Sequence, residues 1–408
     1  MTRPTSKAGF AAACCAALVI PAITQAGSLG TEGSFGLSAG YQSNPLLLDT
    51  HRSSESIAAL LDLPLTYTGR RATLSLHPQV RAARTHGDIA PLSDYQYVDA
   101  NWDYKGERNE FIVDADWKRD STLYNQFERS ELAGDTLRRL DETGSLTWRH
   151  QATERTDWQL FSSYDRVLYD ADPTHTLSSY SYGQAGMKYE YALSERWKGA
   201  LEGGATRFEL RSQPYRTEAT YAQLDLSRDL SERWSMLLSV GVSRLKSTLT
   251  VPRLVLVPDN NGVLHIEVRY FDVVSHQGTT NYLVNLQRQF ERWKLEMSSS
   301  RALQPSGFGA LARQDDLSVR ATGSWGERLT LSSAIHGARL YDASGRLQLN
   351  NRRYYDASFY VAWQCTELWS LQTQVTVYLQ HVAPEDSTRT STAVFLTLTR
   401  QLNRKSLN

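Results

Sequence analysis

Near its C-terminus the chain runs Trp369-Ser370-Leu371-Gln372-Thr373-Gln374-Val375-Thr376-Val377-Tyr378-Leu379-Gln380, in which mostly apolar residues alternate with polar ones. Successive side chains of a β-strand point to opposite faces, so this period of two predicts a strand with one apolar face. The same alternation recurs over 355–364, 111–118 and 236–243. Helices would instead repeat apolar residues every three or four positions. The sequence therefore predicts an all-β fold.

A short polar turn containing the pair Glu-Arg recurs along the chain. It occurs at Glu107-Arg108, Glu154-Arg155, Glu195-Arg196, Glu232-Arg233, Glu291-Arg292 and Glu327-Arg328, with Thr366-Glu367-Leu368 as a variant. Tryptophan soon follows several of these turns, at Trp158, Trp197, Trp234, Trp293 and Trp369. Tryptophan suits the membrane–water interface, because one end of its ring is apolar and the other donates a hydrogen bond. A membrane barrel explains this repeated offset, whereas the hairpins of a soluble sandwich do not.

Eighteen strands can be counted, an even number, as single-chain bacterial barrels require. We predict them at 33–42, 54–67, 72–85, 94–105, 108–119, 136–150, 156–168, 179–192, 195–209, 216–229, 233–248, 276–290, 292–302, 312–325, 328–341, 352–364, 368–381 and 389–402. The short turns follow even strands and the long links follow odd ones. With both termini in the periplasm, the short turns are periplasmic and the long loops extracellular. The predicted fold is a transmembrane antiparallel up-and-down β-barrel of about 18 strands.

The N-terminus predicts export. Arg3 and Lys7 precede an almost wholly apolar run from Phe10 to Ile23, and Ala26 offers a small residue for cleavage. We therefore predict a signal peptide over 1–26 and a barrel over 27–408, in the outer membrane of a bacterium. Removal of the signal peptide would leave Cys365 as the only cysteine.

Composition excludes other classes of protein. Lys and Arg total 44 and Asp and Glu total 44, so the chain lacks the basic excess of a nucleic-acid binder. A mean hydropathy of −0.45 without a long apolar run excludes a helical membrane protein, but not a barrel. No nucleophile elbow, phosphate loop or His/Cys metal motif occurs, so we predict neither an enzyme nor a bound cofactor or metal.

Strand parity predicts a polar, charged lumen. The candidate ionisable residues are Asp62, His77, Arg81, Asp99, Asp103, Asp114, Asp116, Arg149, Asp165, Lys188, Glu190, Lys198, Glu202, Asp225, Lys294, Glu296, Arg320 and Asp356. They form either a solvated, salt-bridged wall or a selectivity surface for a polar solute or polymer. Tyr97, Tyr360 and Tyr378 are predicted to project inward, where they either stack on sugar rings or fill the wall.

One predicted loop, 249–275, has the pattern of a hairpin of its own. The apolar run Leu254-Val255-Leu256-Val257 precedes a turn that contains Asn261-Gly262, and Asn-Gly is a strong tight-turn signal. We therefore expect the flanking strands to extend well beyond the membrane. The sequence leaves open whether this hairpin stands outward or folds over the pore.

The start of the mature chain, Gly36-Leu37-Ser38-Ala39-Gly40-Tyr41-Gln42-Ser43-Asn44-Pro45-Leu46-Leu47-Leu48, followed by the Glu-Arg hairpins, resembles outer-membrane barrels of exopolysaccharide secretion clusters. The resemblance implies an export conduit for a surface polysaccharide. Family members of the fused kind also carry a periplasmic helical-repeat domain, which has no counterpart here, so a separate periplasmic partner is implied. The polar ending Asn403–Asn408 also departs from the usual aromatic terminus of a barrel.

From these patterns we expect an outer-membrane channel that exports an exopolysaccharide. The alternatives are a general diffusion porin or small-solute channel, and a structural or adhesive surface barrel. The expected partners are outer-membrane lipid and lipopolysaccharide, together with periplasmic components of an export system, and no nucleic acid.

Overall fold

The computed structural model of the chain describes residues 27–124, 136–170, 177–258, 264–342, 352–382, 387–402 and 405–407. The predicted signal peptide, 1–26, lies outside them. The strands are β1 Ser28–Thr31, β2 Ser34–Gln42, β3 Ser54–Asp62, β4 Leu65–Thr68, β5 Ala72–Gly87, β6 Tyr95–Lys105, β7 Asn109–Ser121, β8 Arg138–Thr153, β9 Thr156–Tyr169, β10 Tyr180–Ala192, β11 Trp197–Leu210, β12 Tyr215–Ser231, β13 Trp234–Pro258, β14 Leu264–Gln289, β15 Trp293–Ser306, β16 Ala310–Trp325, β17 Leu329–Asp342, β18 Arg352–Gln364, β19 Trp369–Val382, β20 Ser387–Gln401 and β21 Lys405–Leu407. Among the described residues, no helix is long and apolar enough to cross a membrane.

The strands close into a barrel. The barrel strands are β2, β3 and β5 to β20. Each pairs antiparallel with the next one, β3 with β5, and β20 returns to pair with β2 from Ser34↔Gln401 to Gln42↔Ala393. Closure pairs the backbone groups of every barrel strand on both sides, which a sheet must achieve to exist in lipid. The predicted antiparallel barrel of 18 strands is confirmed.

The strands at the periplasmic end of the barrel differ from those predicted from the sequence. The predicted strand 54–67 is divided at residues 63–64 into β3 and β4, because Pro64 has no backbone N–H to donate. β4 pairs with β1, a contact that was not expected from the sequence. The C-terminal tail also contains a short strand, β21, which pairs with β1 at Leu29↔Leu407. The first and last described strands, β1 and β21, therefore meet in a small extension of the sheet below the barrel.

The outer face carries an apolar band with aromatic residues at its periplasmic edge. Leu201 and Val240 in the band are 59% and 61% exposed to solvent. Apolar side chains that are this exposed on a barrel wall would contact lipid in the membrane. Several of the turn-following tryptophans lie at the periplasmic edge and carry an arginine over the ring, as Arg228 does over Trp197 at 4.4 Å. An apolar band with an aromatic girdle around a closed barrel is the surface of a bacterial outer-membrane protein. The protein is located in that membrane.

Adjacent residues of β15 provide a test of which face meets lipid. Met297 lies on the outer face, and Ser298 on the inner face at the same depth. We expect Met297→Arg to reduce the free energy of unfolding by about 2–4 kcal/mol, because a cation would face hydrocarbon near mid-membrane. Ser298→Arg should have a much smaller effect. Urea unfolding in lipid bilayers measures both, and equal effects would contradict the assignment of faces.

The β13–β14 hairpin stands outward beyond the barrel. β12 pairs with β13 only as far as Tyr215↔Leu249, whereas β13 and β14 continue to pair with each other up to Pro258↔Leu264. Side chains of this extension are strongly exposed, with Leu254 at 73% and Tyr270 at 71%. The hairpin expected over 249–275 therefore exists, and its described part does not fold over the pore.

Candidate functional site

The register of the strands defines one continuous inner face around the barrel, because paired residues on neighbouring strands point to the same side of the sheet. Starting from buried Ser38 on β2, pairing from strand to strand shows which side chains share that face. All residues predicted for the lumen lie on it: Asp62, His77, Arg81, Tyr97, Asp99, Asp103, Asp114, Asp116, Arg149, Asp165, Lys188, Glu190, Lys198, Glu202, Asp225, Lys294, Glu296, Arg320, Asp356, Tyr360 and Tyr378.

The wall formed by β6, β7 and β8 is rich in carboxylates. The Lys118 ammonium lies 3.8 Å from a carboxylate oxygen of Asp99 and 3.9 Å from one of Asp116, so a single cation serves two acids. The Asp114 carboxylate instead accepts hydrogen bonds from the Asn101 amide, at 2.6 Å, and from the Ser145 hydroxyl, at 2.9 Å. Acidic groups on this wall therefore outnumber the cations that neutralise them.

The remaining wall is more evenly paired. The Lys188 ammonium donates to Asp225 at 2.6 Å, and Lys294 contacts Glu296 at 2.6 Å. His336 lies between two carboxylates, with Nδ1 2.9 Å from Asp356 and Nε2 3.2 Å from Asp316. Both contacts are hydrogen bonds only when the ring carries two protons. This side of the lumen is a salt-bridged wall.

A second hairpin, β15–β16, turns into the barrel. β15 pairs with β14 only from Gln289↔Lys294 to Tyr282↔Arg301, and beyond Arg301 it leaves the wall. Residues 306–307 and 309–312 are buried. The carbonyl of Gly307 accepts a hydrogen bond of 2.7 Å from the N–H of Ser178, beside the start of β10. The tip of this hairpin thus lies against strands that are not its neighbours in the sheet.

Apolar contacts hold the tip on the far wall. Leu311, 2% exposed, belongs to a buried cluster with inward-facing Phe208 and Leu245. Phe308 packs against the cluster of Leu137 and Leu177, which lies near the extracellular ends of β8 and β10. The guanidinium of Arg352 on β18 lies 4.9 Å from the centre of the Phe308 ring. Phe308 therefore touches both sides of the lumen, and the hairpin lies across it.

The long extracellular link expected over 303–311, between the predicted strands 292–302 and 312–325, is wrong. The structure extends β15 to Ser306 and begins β16 at Ala310, which leaves only a short turn. A signal was present in the sequence, since no charged residue occurs between Ala302 and Ala312. An uncharged stretch of this length with a central Phe is unusual for a solvated loop and indicates burial.

A cavity of about 370 Å³ opens in the lumen between β2, β3, β5, β19 and β20. Its lining combines hydroxyl and amide groups with Arg81, Tyr95 and Tyr378. Arg81 donates from Nε to the carbonyl of Ser93 at 3.1 Å, which ties the strand to the loop after β5. Of the three predicted inward tyrosines, Tyr378 lines this cavity, whereas Tyr97 stacks on Tyr95 with ring centres 4.3 Å apart.

The loop after β2 forms one side of the cavity and contains the Ser43-Asn44-Pro45 motif. Asn44 is fully buried, and its side-chain amide exchanges two hydrogen bonds with the backbone of Leu48, at 2.8 and 3.0 Å. This clamp turns Pro45 and Leu47 toward the cavity. At the end of the loop, the N–H and hydroxyl of Ser53 donate to Asp88, and these bonds hold the pKa of that carboxyl below its ordinary value.

A buried ion cluster anchors the extracellular end of β7 and β8. Arg139 donates two hydrogen bonds of 3.0 Å to the Asp120 carboxylate, and both side chains are 1% exposed. Tyr97 donates to the same carboxylate at 3.0 Å, and Asp141 lies 3.7 Å from Arg139. Sequence parity alone did not single out Arg139 or Asp120. Within the described part of the chain, no group of three or more potential ligands could hold a metal ion.

Comparison with protein-family models found no match, and comparison with curated proteins found none. Among solved structures, the ferric-catecholate import receptor Fiu of Escherichia coli K12 is similar with a TM-score of 0.48 at 8% identity, covering 91% of this chain and 81% of the receptor. OccK2 (OpdF) of Pseudomonas aeruginosa in complex with glucuronate gives 0.45 at 11% identity, covering 94% of this chain and 100% of OccK2. OpdK of Pseudomonas aeruginosa with vanillate gives 0.45 at 11% identity, covering 92% of this chain and 99% of OpdK. Likenesses this distant carry no argument about function, and none of the three structures is described as part of an exopolysaccharide secretion system.

Proposed function

We propose that the protein is an outer-membrane channel for small polar solutes, with a preference for cations over anions. The observation that carries the proposal is the β15–β16 hairpin, whose Phe308 bridges opposite walls of a charged lumen. Barrels of this strand number enclose an aqueous channel unless loops fill it. A hairpin that narrows such a channel turns a wide pore into a selective one.

A small solute is favoured over the exopolysaccharide that the sequence suggested. An extended polymer would have to displace the hairpin, including Leu311 from its buried apolar cluster. The cavity of about 370 Å³ lies within the range of small-molecule sites, which runs from about 300 to 1,000 Å³. Its hydroxyl, amide and tyrosine groups suit a solute rich in hydrogen-bonding groups. Polysaccharide export would also need the periplasmic partner that the resemblance implied.

The preference for cations follows from the carboxylates of β6, β7 and β8. Lys118 is shared between Asp99 and Asp116, and the Asp114 carboxylate accepts its hydrogen bonds from the neutral Asn101 and Ser145. The surplus negative charge faces a narrow space bounded by protein, where fields are screened less than at an open surface. Cations therefore gain, and anions lose, on approaching this wall.

Single-channel recording of the refolded protein in planar bilayers tests the proposal. We expect a stable conductance, a reversal potential in a KCl gradient that favours K⁺, and transient block by small hydroxylated solutes. Passage of long polysaccharide chains would instead support the export interpretation. Correctly folded protein without conductance would contradict the channel proposal and favour a structural surface barrel.

Neutralising the acidic wall should weaken cation selectivity. We expect the double substitution Asp99→Asn with Asp103→Asn to move the reversal potential in a KCl gradient toward zero. Glu218→Gln is the control, since Glu218 is an acid on the outer face, where it pairs with Arg216 at 3.4 Å. An equal shift in the control, or none in the double variant, would show that these carboxylates do not set the selectivity.

A further inference from the structure

We propose that the outer face of β16–β18 binds the phosphate groups of lipopolysaccharide in the outer leaflet, through Arg313, Arg339 and Arg353. These three residues, one on each strand, are called the arginine patch below. The proposal does not rest on solute conduction, because the patch lies on the lipid-facing side of the wall.

The register places the patch at one level. Arg339 on β17 is directly opposite Arg353 on β18, and Arg313 on β16 is opposite Tyr341 on β17. Inward neighbours alternate with these residues, as buried Gln314 and Leu340 show, so the arginines face outward. Each of the three lies near one end of its strand, on the opposite side of the membrane from the short periplasmic turns. The patch is therefore on the extracellular side.

The patch lies at the upper edge of the apolar band. On β18 the outward residues below Arg353 include Tyr355, Phe359 and Trp363, each about half exposed at 49%, 50% and 50%. Tyr355 and Trp363 span about 20 Å along the membrane normal, given about 3.3 Å per residue and a tilt of about 40°. That distance approaches the height of the lipid-facing band of such barrels, about 25 Å. Arg353 is therefore at the level of the outer lipid headgroups.

The positive charge at the patch exceeds the negative charge beside it. The register sets Asp315 directly opposite Arg339, but its carboxylate accepts hydrogen bonds of 2.6 and 2.8 Å from Arg301, so one carboxylate lies among four arginines. In the part of the chain that the structure describes, no ion pair involves Arg313, Arg339 or Arg353. Like charges directly opposite each other on neighbouring strands destabilise a sheet. An external anion bound between Arg339 and Arg353 would remove that repulsion.

Other outward-facing arginines at the extracellular end, unlike those of the arginine patch, are paired with carboxylates. Arg207 is hydrogen-bonded to Glu209, and Arg216 lies 3.4 Å from Glu218. Each of these arginines has a carboxylate two residues away on its own strand, so the charge of the pair is balanced. In the arginine patch only Arg313 has a carboxylate at that spacing, Asp315, and this carboxylate is held by Arg301.

Tyr341 orients two members of the patch. The guanidinium groups of Arg313 and Arg339 lie 4.4 and 4.2 Å from the centre of its ring. Stacking on an aromatic ring holds a guanidinium in a fixed plane and leaves its edge free to bind. Planar guanidinium groups bind phosphate oxygens through paired hydrogen bonds. Several such groups at headgroup level suit a lipid with more than one phosphate, as lipopolysaccharide has.

The test compares the triple variant Arg313→Gln, Arg339→Gln, Arg353→Gln with the control Arg207→Gln, Arg216→Gln. Each folded protein in detergent is titrated with purified lipopolysaccharide, with the same lipid after enzymatic dephosphorylation, and with phosphatidylglycerol. Binding is followed by the rise in Tm and by native mass spectrometry. We expect the wild type and the control to bind lipopolysaccharide, and the triple variant to bind it at least about tenfold more weakly, a loss of about 1.4 kcal/mol.

Three outcomes would overturn the proposal. They are undiminished binding by the triple variant, equal binding of the dephosphorylated lipid by the wild type, and equal or tighter binding of phosphatidylglycerol. If the triple variant does not fold, the single substitution Arg353→Gln decides the question, because Arg353 is exposed and lacks the ring contacts of the other two. Unchanged lipopolysaccharide affinity in that variant would count against the patch.

Discussion

Replacing Gln304–Ala312 by Asn-Gly is expected to raise the single-channel conductance several-fold. The replacement joins Leu303 directly to its partner Arg313 through a tight two-residue turn, which Asn-Gly forms readily. It removes Phe308 and Leu311, the residues that hold the hairpin on the far wall. The current through the open lumen should then approach that of an unobstructed barrel of this strand number. Planar-bilayer recording at fixed KCl concentration gives the comparison.

The β13–β14 hairpin, which protrudes from the barrel, allows a control deletion of the same length. Replacing residues 257–265 by Asn-Gly joins Leu256 to its partner Ile266 and removes the same number of residues. Because this hairpin stands outside the barrel, its shortening should leave the conductance unchanged. A conductance that does not rise when the β15–β16 tip is removed would mean that the hairpin does not limit the flow. Loss of solute block together with the increase would link the hairpin to selectivity.

Arg139→Ala is expected to reduce the free energy of unfolding by about 3–5 kcal/mol, because it leaves the Asp120 carboxylate buried without its cation. Arg139 and Asp120 are each 1% exposed, so water cannot take over the lost hydrogen bonds. Arg149→Ala is the control, since the Arg149–Glu110 pair is half exposed on its arginine side, at 51%. Exposed pairs of this kind contribute at most about 1 kcal/mol.

Urea unfolding in lipid bilayers, followed by tryptophan fluorescence, measures both variants. A second variant, Arg139→Leu with Asp120→Leu, removes this pair and should recover part of the lost stability, since Asp141 remains as the other carboxylate near position 139. Recovery would show that the isolated buried carboxylate, rather than lost packing, causes the defect. Equal destabilisation by Arg139→Ala and Arg149→Ala would contradict the buried-cluster description.

The sequence alone determined the barrel and the face on which the residues of its membrane-spanning strands lie. A β-strand has a period of two, so once a residue such as Leu371 is assigned to lipid, its neighbours Ser370 and Gln372 must face inward. Turn chemistry determined the ends, because Glu-Arg turns followed by tryptophan mark the periplasmic interface. The inward position of residues as far apart as Asp62 and Asp356 follows from this local rule.

Only the tertiary structure decided which inward residues meet and which hairpin enters the lumen. The contact of Phe308 with Arg352, and of Leu311 with the cluster of Phe208, depends on where β15 leaves β14. β15 leaves β14 because the tip of the hairpin buries apolar side chains against strands that are distant in sequence. The alternation of apolar and polar residues along a strand does not predict such long-range contacts. The same holds for the arginine patch, whose members become neighbours only through the register of β16, β17 and β18. Local alternation decides a side chain's face, whereas its neighbours depend on packing and register throughout the barrel.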